Sequence, residues 1–176
     1  MENESHGLQQ NKLPLTEFFI EELQDIYGAE KQLTVALPKM KAAATSPDLA
    51  MAFEDHLHVT LDQIARLEKI FTLLGEEPKS IKCEAMEGLI KEGETVIKDT
   101  EAGSNTRDVA LIVSAQKVEH YEIAAYGSLR QLARTIERSQ VATLLEETLQ
   151  EEKETDMLLS NLAETLINQD ARHEVR

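Results

Sequence analysis

One stretch of the sequence decides the fold: residues 17–43 read EFFIEELQDIYGAEKQLTVALPKMKAA. Apolar residues recur three and four positions apart, which places Leu23, Ile26 and Leu33 on one face of an amphipathic α-helix. Glu30 stands on that same apolar face. Because burying an unpaired carboxylate is costly or forces it to keep its proton, a buried Glu30 needs a partner or a cation.

The same interruption recurs on two other predicted helices. Glu122 breaks the apolar face of the helix predicted over 106–135, and Glu152 breaks that of the helix predicted over 138–168. Together with Glu30, three carboxylates from three helices would thus point into one core. A shared metal cation is the simplest way to remove the burial penalty of each.

The remaining long helix supplies a nitrogen donor. On the helix predicted over 46–74, His56 and Gln63 share the face of the apolar residues. His56 is either a hydrogen-bonded core histidine or a ligand that completes the ring of carboxylates. Carboxylate and imidazole together suit first-row metals such as iron and manganese. Two divalent ions would balance about four carboxylates.

Two further acids are candidate ligands of lower rank. Glu119 lies one turn before Glu122 and belongs either to the solvated face or to the site. Asp156 lies one turn after Glu152 and beside it on the helix surface. We expect both to be near the predicted centre.

Two tyrosines lie one turn from predicted ligands, Tyr27 before Glu30 and Tyr126 after Glu122. Each either packs at the edge of the core or hydrogen-bonds to a metal-bound carboxylate. His120 lies farther from the apolar face, and we expect it either at the surface or in contact with a metal-binding side chain.

The composition favours one helical domain without nucleic-acid or membrane partners. The chain has 176 residues, with only 7 Gly and 4 Pro, and helix-forming residues dominate. Its net charge of −15 opposes binding to nucleic acid or anionic membranes, because such binding needs clustered Lys and Arg.

Cysteine content and hydropathy bear on the compartment. The lone Cys83 excludes an intramolecular disulfide and suits a reducing environment. No stretch approaches the roughly 18–20 apolar residues that a membrane-spanning helix requires, and residues 1–12 lack the apolar core of a signal peptide. We therefore expect a cytoplasmic protein.

The spacing of the predicted helices indicates the topology. The first and second helices are joined tightly, as are the fourth and fifth, and a long connection between the pairs carries a short helix over 81–100. Two antiparallel helical hairpins joined by one long crossover form an all-α, ferritin-like four-helix bundle. We predict this single domain over 15–168, with disordered tips at 1–14 and 169–176.

The sequence resembles the YciE/YciF-like bacterial proteins of the ferritin-like superfamily. The segments that carry the resemblance are DIYGAEKQL at 25–33, His56-Leu57 with Gln63 and Arg66-Leu67, CEAMEGLI at 83–90, QKVEHYEIA at 116–124, and Glu151-Glu152-Lys153 with Thr155-Asp156. The resemblance implies a stress-associated protein, a homodimer and a rubrerythrin-like di-metal centre.

The motif positions of that family give a set of metal-site residues. By position they are Glu30, His56, Glu119, Glu122, Glu152 and Asp156. One departure stands out: members commonly carry Glu at the position of Val59. Losing that carboxylate leaves three alternatives: one metal, a weaker pair, or none.

The sequence thus predicts a ferritin-like protein that binds two iron ions or manganese. Glu30 and Glu122 are expected as paired or bridging carboxylates, Glu152 as a further ligand, and His56 as the nitrogen donor. If the protein is an enzyme, we expect a di-iron oxidoreductase acting on oxygen or peroxide. The alternative is a metal-free structural or interaction protein with a buried polar network. No sequence feature indicates an iron-storage cage.

Overall fold

Six α-helices and one π-helical segment make up the regular structure of residues 14–175, the part of the chain that the computed structural model describes. The elements are α1 (Pro14–Ala43), α2 (Pro47–Leu74), α3 (Glu84–Asp99), α4 (Asn105–Thr135), α5 (Ser139–Leu162), the π-helical segment (Ala163–Ile167) and α6 (Asn168–Arg172). None of these helices is long and apolar enough to cross a bilayer. The first thirteen residues of the predicted N-terminal tip lie outside the described residues.

Side-chain caps set the helix ends that the sequence indicates. The side chain of Ser46 accepts a hydrogen bond from the Leu49 N–H at the start of α2, and Gly75 ends that helix with a left-handed φ of 72°. Ser104 caps α4 in the same way by accepting from the Arg107 N–H at 3.1 Å. The predicted helix over 46–74 is therefore confirmed almost residue for residue.

The four long helices form the predicted pair of hairpins. Helix α1 packs along α2, and α4 packs along α5. The hairpins associate through contacts of α2 with α5 and of α1 with α4, while α3 packs against α1 and α4. This is the all-α, ferritin-like arrangement with a crossover helix that the connection lengths predicted.

The long connection between the hairpins crosses α1 at a glycine. A Cβ atom at position 28 would overlap the backbone carbonyl of Ile81, so this close approach requires a glycine at that position. The Ile81 N–H donates to the carbonyl oxygen of Gln24 at 3.2 Å, which fixes the crossing. Gly28 stands two residues before Glu30, so the crossing also anchors the part of α1 that carries a candidate ligand.

The C-terminal end differs from the sequence prediction. The helix predicted over 138–168 is divided into α5, the π-helical segment and α6. Part of the segment 169–176, which was expected to be a disordered tip, is helical in α6. Beyond it, the Glu174 carboxylate accepts hydrogen bonds from the N–H groups of Asn105 at 2.7 Å and Thr106 at 3.0 Å. A carboxylate suits this place because the first N–H groups of a helix lack partners within the helix.

Candidate metal centre

Four buried side chains from three helices meet inside the bundle. His56 comes from α2, Glu119 and Glu122 from α4, and Glu152 from α5. One ligand atom from each lies within 4.8 Å of the others. Ligands on opposite sides of a first-row ion are about 4 Å apart, because each ligand atom lies about 2 Å from it. This group, called the carboxylate–imidazole cluster below, therefore has the size of a metal site.

The atoms of the cluster are poorly satisfied by the protein itself. His56 Nε2 and Glu119 Oε1 lie 3.4 Å apart. Among the described residues, neither nitrogen of His56 nor either oxygen of Glu122 has a hydrogen-bond partner, and one oxygen each of Glu119 and Glu152 also lacks one. Buried polar atoms without partners are costly and uncommon. A cation would satisfy these donor atoms together, so the residues present fit a metal.

Glu30 lies beside the cluster on α1. Its side chain is fully buried, and the Tyr126 hydroxyl donates a hydrogen bond to its Oε1. Its Oε2 has no hydrogen-bond partner among the described residues. Burial raises the pKa of Glu30 well above its ordinary value, and the nearby charge of Glu152 raises it further. Glu30 therefore feels the charge of the cluster, although it is not one of the four residues that meet there.

Burial controls the protonation of these groups. It raises the pKa values of Glu30, Glu119 and Glu122 well above 4.5, with repulsion from Glu152 as the next cause. It also raises the pKa of Glu152 to about 7 and lowers that of His56 to about 4. Without a metal the interior favours protonated carboxyl groups and a neutral imidazole, and a bound cation would favour ionised carboxylates.

A polar network holds Glu152 in place from the α2 side. The amide nitrogen of Gln63 donates to Glu152 Oε1 at 2.5 Å and to Glu151 Oε2 at 3.1 Å. Arg66 in turn binds both oxygens of Glu151, each at 2.7 Å. One oxygen of Glu152 is thereby fixed, and the other has no partner in the part of the chain that the structure describes.

The two candidates of lower rank have different positions in the structure. Glu119 is only 2% exposed and belongs to the cluster, so the solvated-face alternative is wrong. Asp156 remains partly exposed and lies outside the cluster, where it accepts from Gln116 at 3.2 Å and pairs with the exposed His120 at 3.4 Å. A displacement of four residues turns a helix position by about 40°, which is enough to move Asp156 to the rim.

The two tyrosines have different hydrogen-bond partners. Tyr126 is fully buried, and its hydroxyl bonds to Glu30 rather than to Glu122, its neighbour one turn away on the same helix. Tyr27 instead donates to Glu68 at 2.7 Å. Of these two tyrosines, Tyr126 is the one that orients a carboxylate of the candidate centre.

Thr60 lies on the inward face of α2 although it is not among the predicted site residues. Thr60 is fully buried, and its hydroxyl oxygen has no partner among the described residues. Val59, by contrast, is half-buried at the edge of this face. The signal was present in the sequence, because Thr60 follows His56 by four residues and precedes Gln63 by three, which places all three on one face.

Comparisons with known proteins agree with this architecture. The family described as Domain of unknown function (DUF892) matches residues 14–172. Protein YciF of Escherichia coli (strain K12) is 46% identical over 164 residues, which are 93% of this chain and 98% of that protein.

Solved structures show the same likeness. The crystal structure of the E. coli stress protein YciF has a TM-score of 0.85 and covers 90% of this chain and 99% of its own. YcfI from Rhodopseudomonas palustris is 37% identical with a TM-score of 0.80, covering 88% of this chain and 98% of its own. The fold and the family match thus coincide over nearly the whole bundle, and the chain belongs to the DUF892 family as a YciF-like protein of ferritin-like fold.

Proposed function

We propose that the protein binds a pair of iron or manganese ions through the carboxylate–imidazole cluster and Glu30. The observation that carries this proposal is the set of buried donor atoms on His56, Glu119, Glu122 and Glu152 that have no partner within the described part of the chain. Carboxylate oxygens and imidazole nitrogens are common ligands of both metals. A bound cation would also explain why so many acids remain in the interior of a small domain.

Charge balance favours two ions over one. Glu30, Glu119, Glu122 and Glu152 contribute four negative charges when ionised, and His56 is neutral at pH 7 because burial lowers its pKa to about 4. Two divalent cations neutralise four carboxylates, whereas a single one leaves two buried charges uncompensated.

The free atoms suggest a role for each ligand. Neither oxygen of Glu122 has a partner among residues 14–175, so both would be available to hold the ions. Glu30 has one oxygen bonded to Tyr126 and one free, which suits a terminal ligand. His56 and Glu119, whose side-chain atoms lie 3.4 Å apart, would hold one ion between them.

A small cavity next to the cluster limits the substrates. Its volume is about 20 Å³, enough for a molecule of the size of water or dioxygen. Apolar side chains dominate its wall, which includes Leu37, Phe53, Val118 and Leu159 beside His56 and Glu119. A bound iron pair would supply two electrons for the reduction of dioxygen or peroxide. The protein would exclude larger molecules and hold the ligands in place, and the description of YciF as a stress protein agrees with such a role.

The metal-free alternative, a structural or interaction protein, requires buried polar groups that hydrogen-bond to one another. A buried polar network stabilises a fold only when its members satisfy one another. In the described part of the chain, Gln63 satisfies one oxygen of Glu152 and Tyr126 one of Glu30, whereas neither oxygen of Glu122 is satisfied. The site therefore favours the metal-binding proposal.

The experiment that tests the proposal measures metal content per chain. Untagged protein is purified without chelator and then reconstituted anaerobically with Fe(II), and we expect close to two equivalents. Glu122→Ala and Glu152→Ala are expected to lose most of the metal, whereas Glu147→Ala, which removes a half-exposed carboxylate from the same helix as Glu152, is expected to keep it. No metal in the wild type with an intact helical fold would overturn the proposal, and unchanged content in both cluster variants would overturn the site.

A further inference from the structure

The inner face of α2 carries a line of unsatisfied polar atoms that extends beyond the cluster. His56, Thr60 and Gln63 follow one another at intervals of four and three residues, so they share one face of the helix. All three are buried. Both nitrogens of His56, the hydroxyl oxygen of Thr60 and the amide oxygen of Gln63 have no partner among the described residues.

The orientation of the Gln63 amide follows from its neighbours. Its nitrogen donates to Glu151 and Glu152. Rotating the amide by 180° would place its oxygen against the Glu151 carboxylate, whose two oxygens already accept from Arg66, so two acceptors would face each other. The amide oxygen therefore remains the free atom, and it is buried beside a candidate ligand.

The buried donors consequently differ along the line. At one end His56 supplies nitrogen next to Glu119. At the other end Gln63 supplies a neutral oxygen next to Glu152, and Thr60, which lies between them along the helix, supplies a buried hydroxyl oxygen. The acidic residues of α2 are all exposed, so this helix offers no carboxylate to either end.

We propose that the metal centre has two unequal halves, a nitrogen-containing half at His56 and an all-oxygen half completed by Thr60 and Gln63. This inference rests on the proposed metal-binding function and adds the ligands and selectivity of the second position. The carboxylate ligands of the all-oxygen half would be the oxygens of Glu30 and Glu152 that have no partner among the described residues. Neutral oxygen donors bind first-row ions more weakly than imidazole does, and they suit harder ions such as Mn²⁺ and Mg²⁺. The ions therefore bind in sequence, the first at His56 and the second with lower affinity.

The test is a titration of the metal-free protein with Mn(II). Calorimetry and the electron paramagnetic resonance signal of free Mn(II) measure the binding. We expect two binding steps whose dissociation constants differ by about tenfold or more. Thr60→Val keeps the shape of the side chain and removes the hydroxyl. It is expected to weaken the second step by roughly tenfold and the first by less than about twofold.

Control variants separate a ligand from a packing effect. Thr60→Ser restores a hydroxyl and is expected to restore the second step. Thr155→Val removes a hydroxyl near the cluster that already donates to the Glu151 carbonyl oxygen, and it is expected to leave both steps unchanged. His56→Gln is expected to weaken the first step selectively.

The outcomes distinguish this inference from the proposal beneath it. Two equal steps that Thr60→Val does not change would overturn the inference and leave the proposed metal pair intact. No binding of Mn(II) or Fe(II) by the wild type would overturn the proposed function and this inference with it. Equal loss of the second step in Thr60→Val and Thr155→Val would also overturn the inference, because general packing would then be the cause.

Discussion

The Tyr126 hydroxyl on α4 donates a hydrogen bond to Oε1 of Glu30 on α1, and both side chains are completely buried. The second oxygen of Glu30 has no partner in the described part of the chain. One bond thus fixes the direction of the carboxylate and leaves its other oxygen available to the cluster. Five residues earlier on each helix, Tyr121 donates to Asp25 at 2.9 Å, so the same pairing of α1 with α4 repeats towards the surface.

Removing the Tyr126 hydroxyl should destabilise the metal-free protein. In Tyr126→Phe a buried oxygen of Glu30 loses its donor, and we expect the free energy of unfolding to fall by about 1–3 kcal/mol. Urea denaturation in the presence of a chelator measures this change. Tyr27→Phe is the matched control, because Glu68 is exposed and water can replace the lost donor, so its loss should be about 1 kcal/mol or less. A smaller loss for Tyr126→Phe than for Tyr27→Phe would contradict the role of the buried pair.

Adding one methyl group at Gly28 should also destabilise the fold. A Cβ atom there overlaps the backbone of Ile81, and a backbone segment cannot rotate away as a side chain can. We expect Gly28→Ala to lower the free energy of unfolding by about 1–3 kcal/mol. Gly127→Ala, also within a long helix but with open space at the Cβ position, should raise it by about 0.5–1 kcal/mol. Thermal and urea denaturation of both variants checks the difference in sign.

Much of the fold follows from local rules that act within one helix. Ser46 and Gly75 mark the ends of α2 through caps that involve only neighbouring residues. The inward direction of Glu30, Glu122 and Glu152 follows from the period of the apolar residues on their own helices. These parts could be predicted because a helical pattern fixes direction before any partner helix is known.

The extent of burial could not be predicted in the same way. Helix α4 contacts α1, α3 and α5, so its buried surface is wider than one stripe and includes Glu119. Asp156, one turn from Glu152, stays partly exposed at the rim, where it pairs with the exposed His120. The helical period places Thr60 on the inward face of α2, but it does not predict a site residue there, because a threonine on an apolar face usually satisfies its hydroxyl within its own helix. The missing partner of its hydroxyl becomes visible only in the three-dimensional structure of the described residues.

The stability of the metal-free protein should fall as the pH rises from 6.5 to 8. Burial raises the pKa of Glu152 from an ordinary 4.5 to about 7, so the folded state holds a proton that the unfolded state releases. The resulting stability is complete below pH 4.5 and is lost as the pH rises through 7. Burial lowers the pKa of His56 from 6.5 to about 4, so its contribution is lost as the pH falls between these values. His56 therefore opposes the decline near pH 6.5, and above about pH 7.5 its contribution hardly changes, so the buried carboxyl groups dominate the slope there.

Urea denaturation at four pH values between 6.5 and 8, with chelator, measures this decline. Glu152→Gln should reduce the slope, because one titrating group is removed. Saturating Mn(II) should abolish the decline, since bound ions replace the protons and bind more tightly as the pH rises. A flat profile in the metal-free wild type would contradict the elevated pKa of the buried acids.

Replacing Glu122 by leucine should separate stability from metal binding. Both oxygens of Glu122 are buried and without partners in the described structure. In the metal-free protein, no hydrogen bond therefore offsets the free-energy cost of their desolvation. We expect Glu122→Leu to raise the free energy of unfolding in chelator by about 1–3 kcal/mol while metal content falls. Glu21→Leu, a change on the exposed face of α1, should alter the stability by about 0.5 kcal/mol or less.

The order of stabilities should reverse when metal is present. A ligand that binds only the folded state adds free energy that grows with the ratio of its concentration to its dissociation constant, about 2.7 kcal/mol at a hundredfold excess. The wild type gains this stabilisation in saturating Mn(II), and Glu122→Leu does not, so the wild type should become the more stable of the two. If Glu122→Leu is instead less stable than the wild type in chelator, Glu122 contributes favourable contacts without a metal. A buried polar network would then account for its presence better than metal binding does.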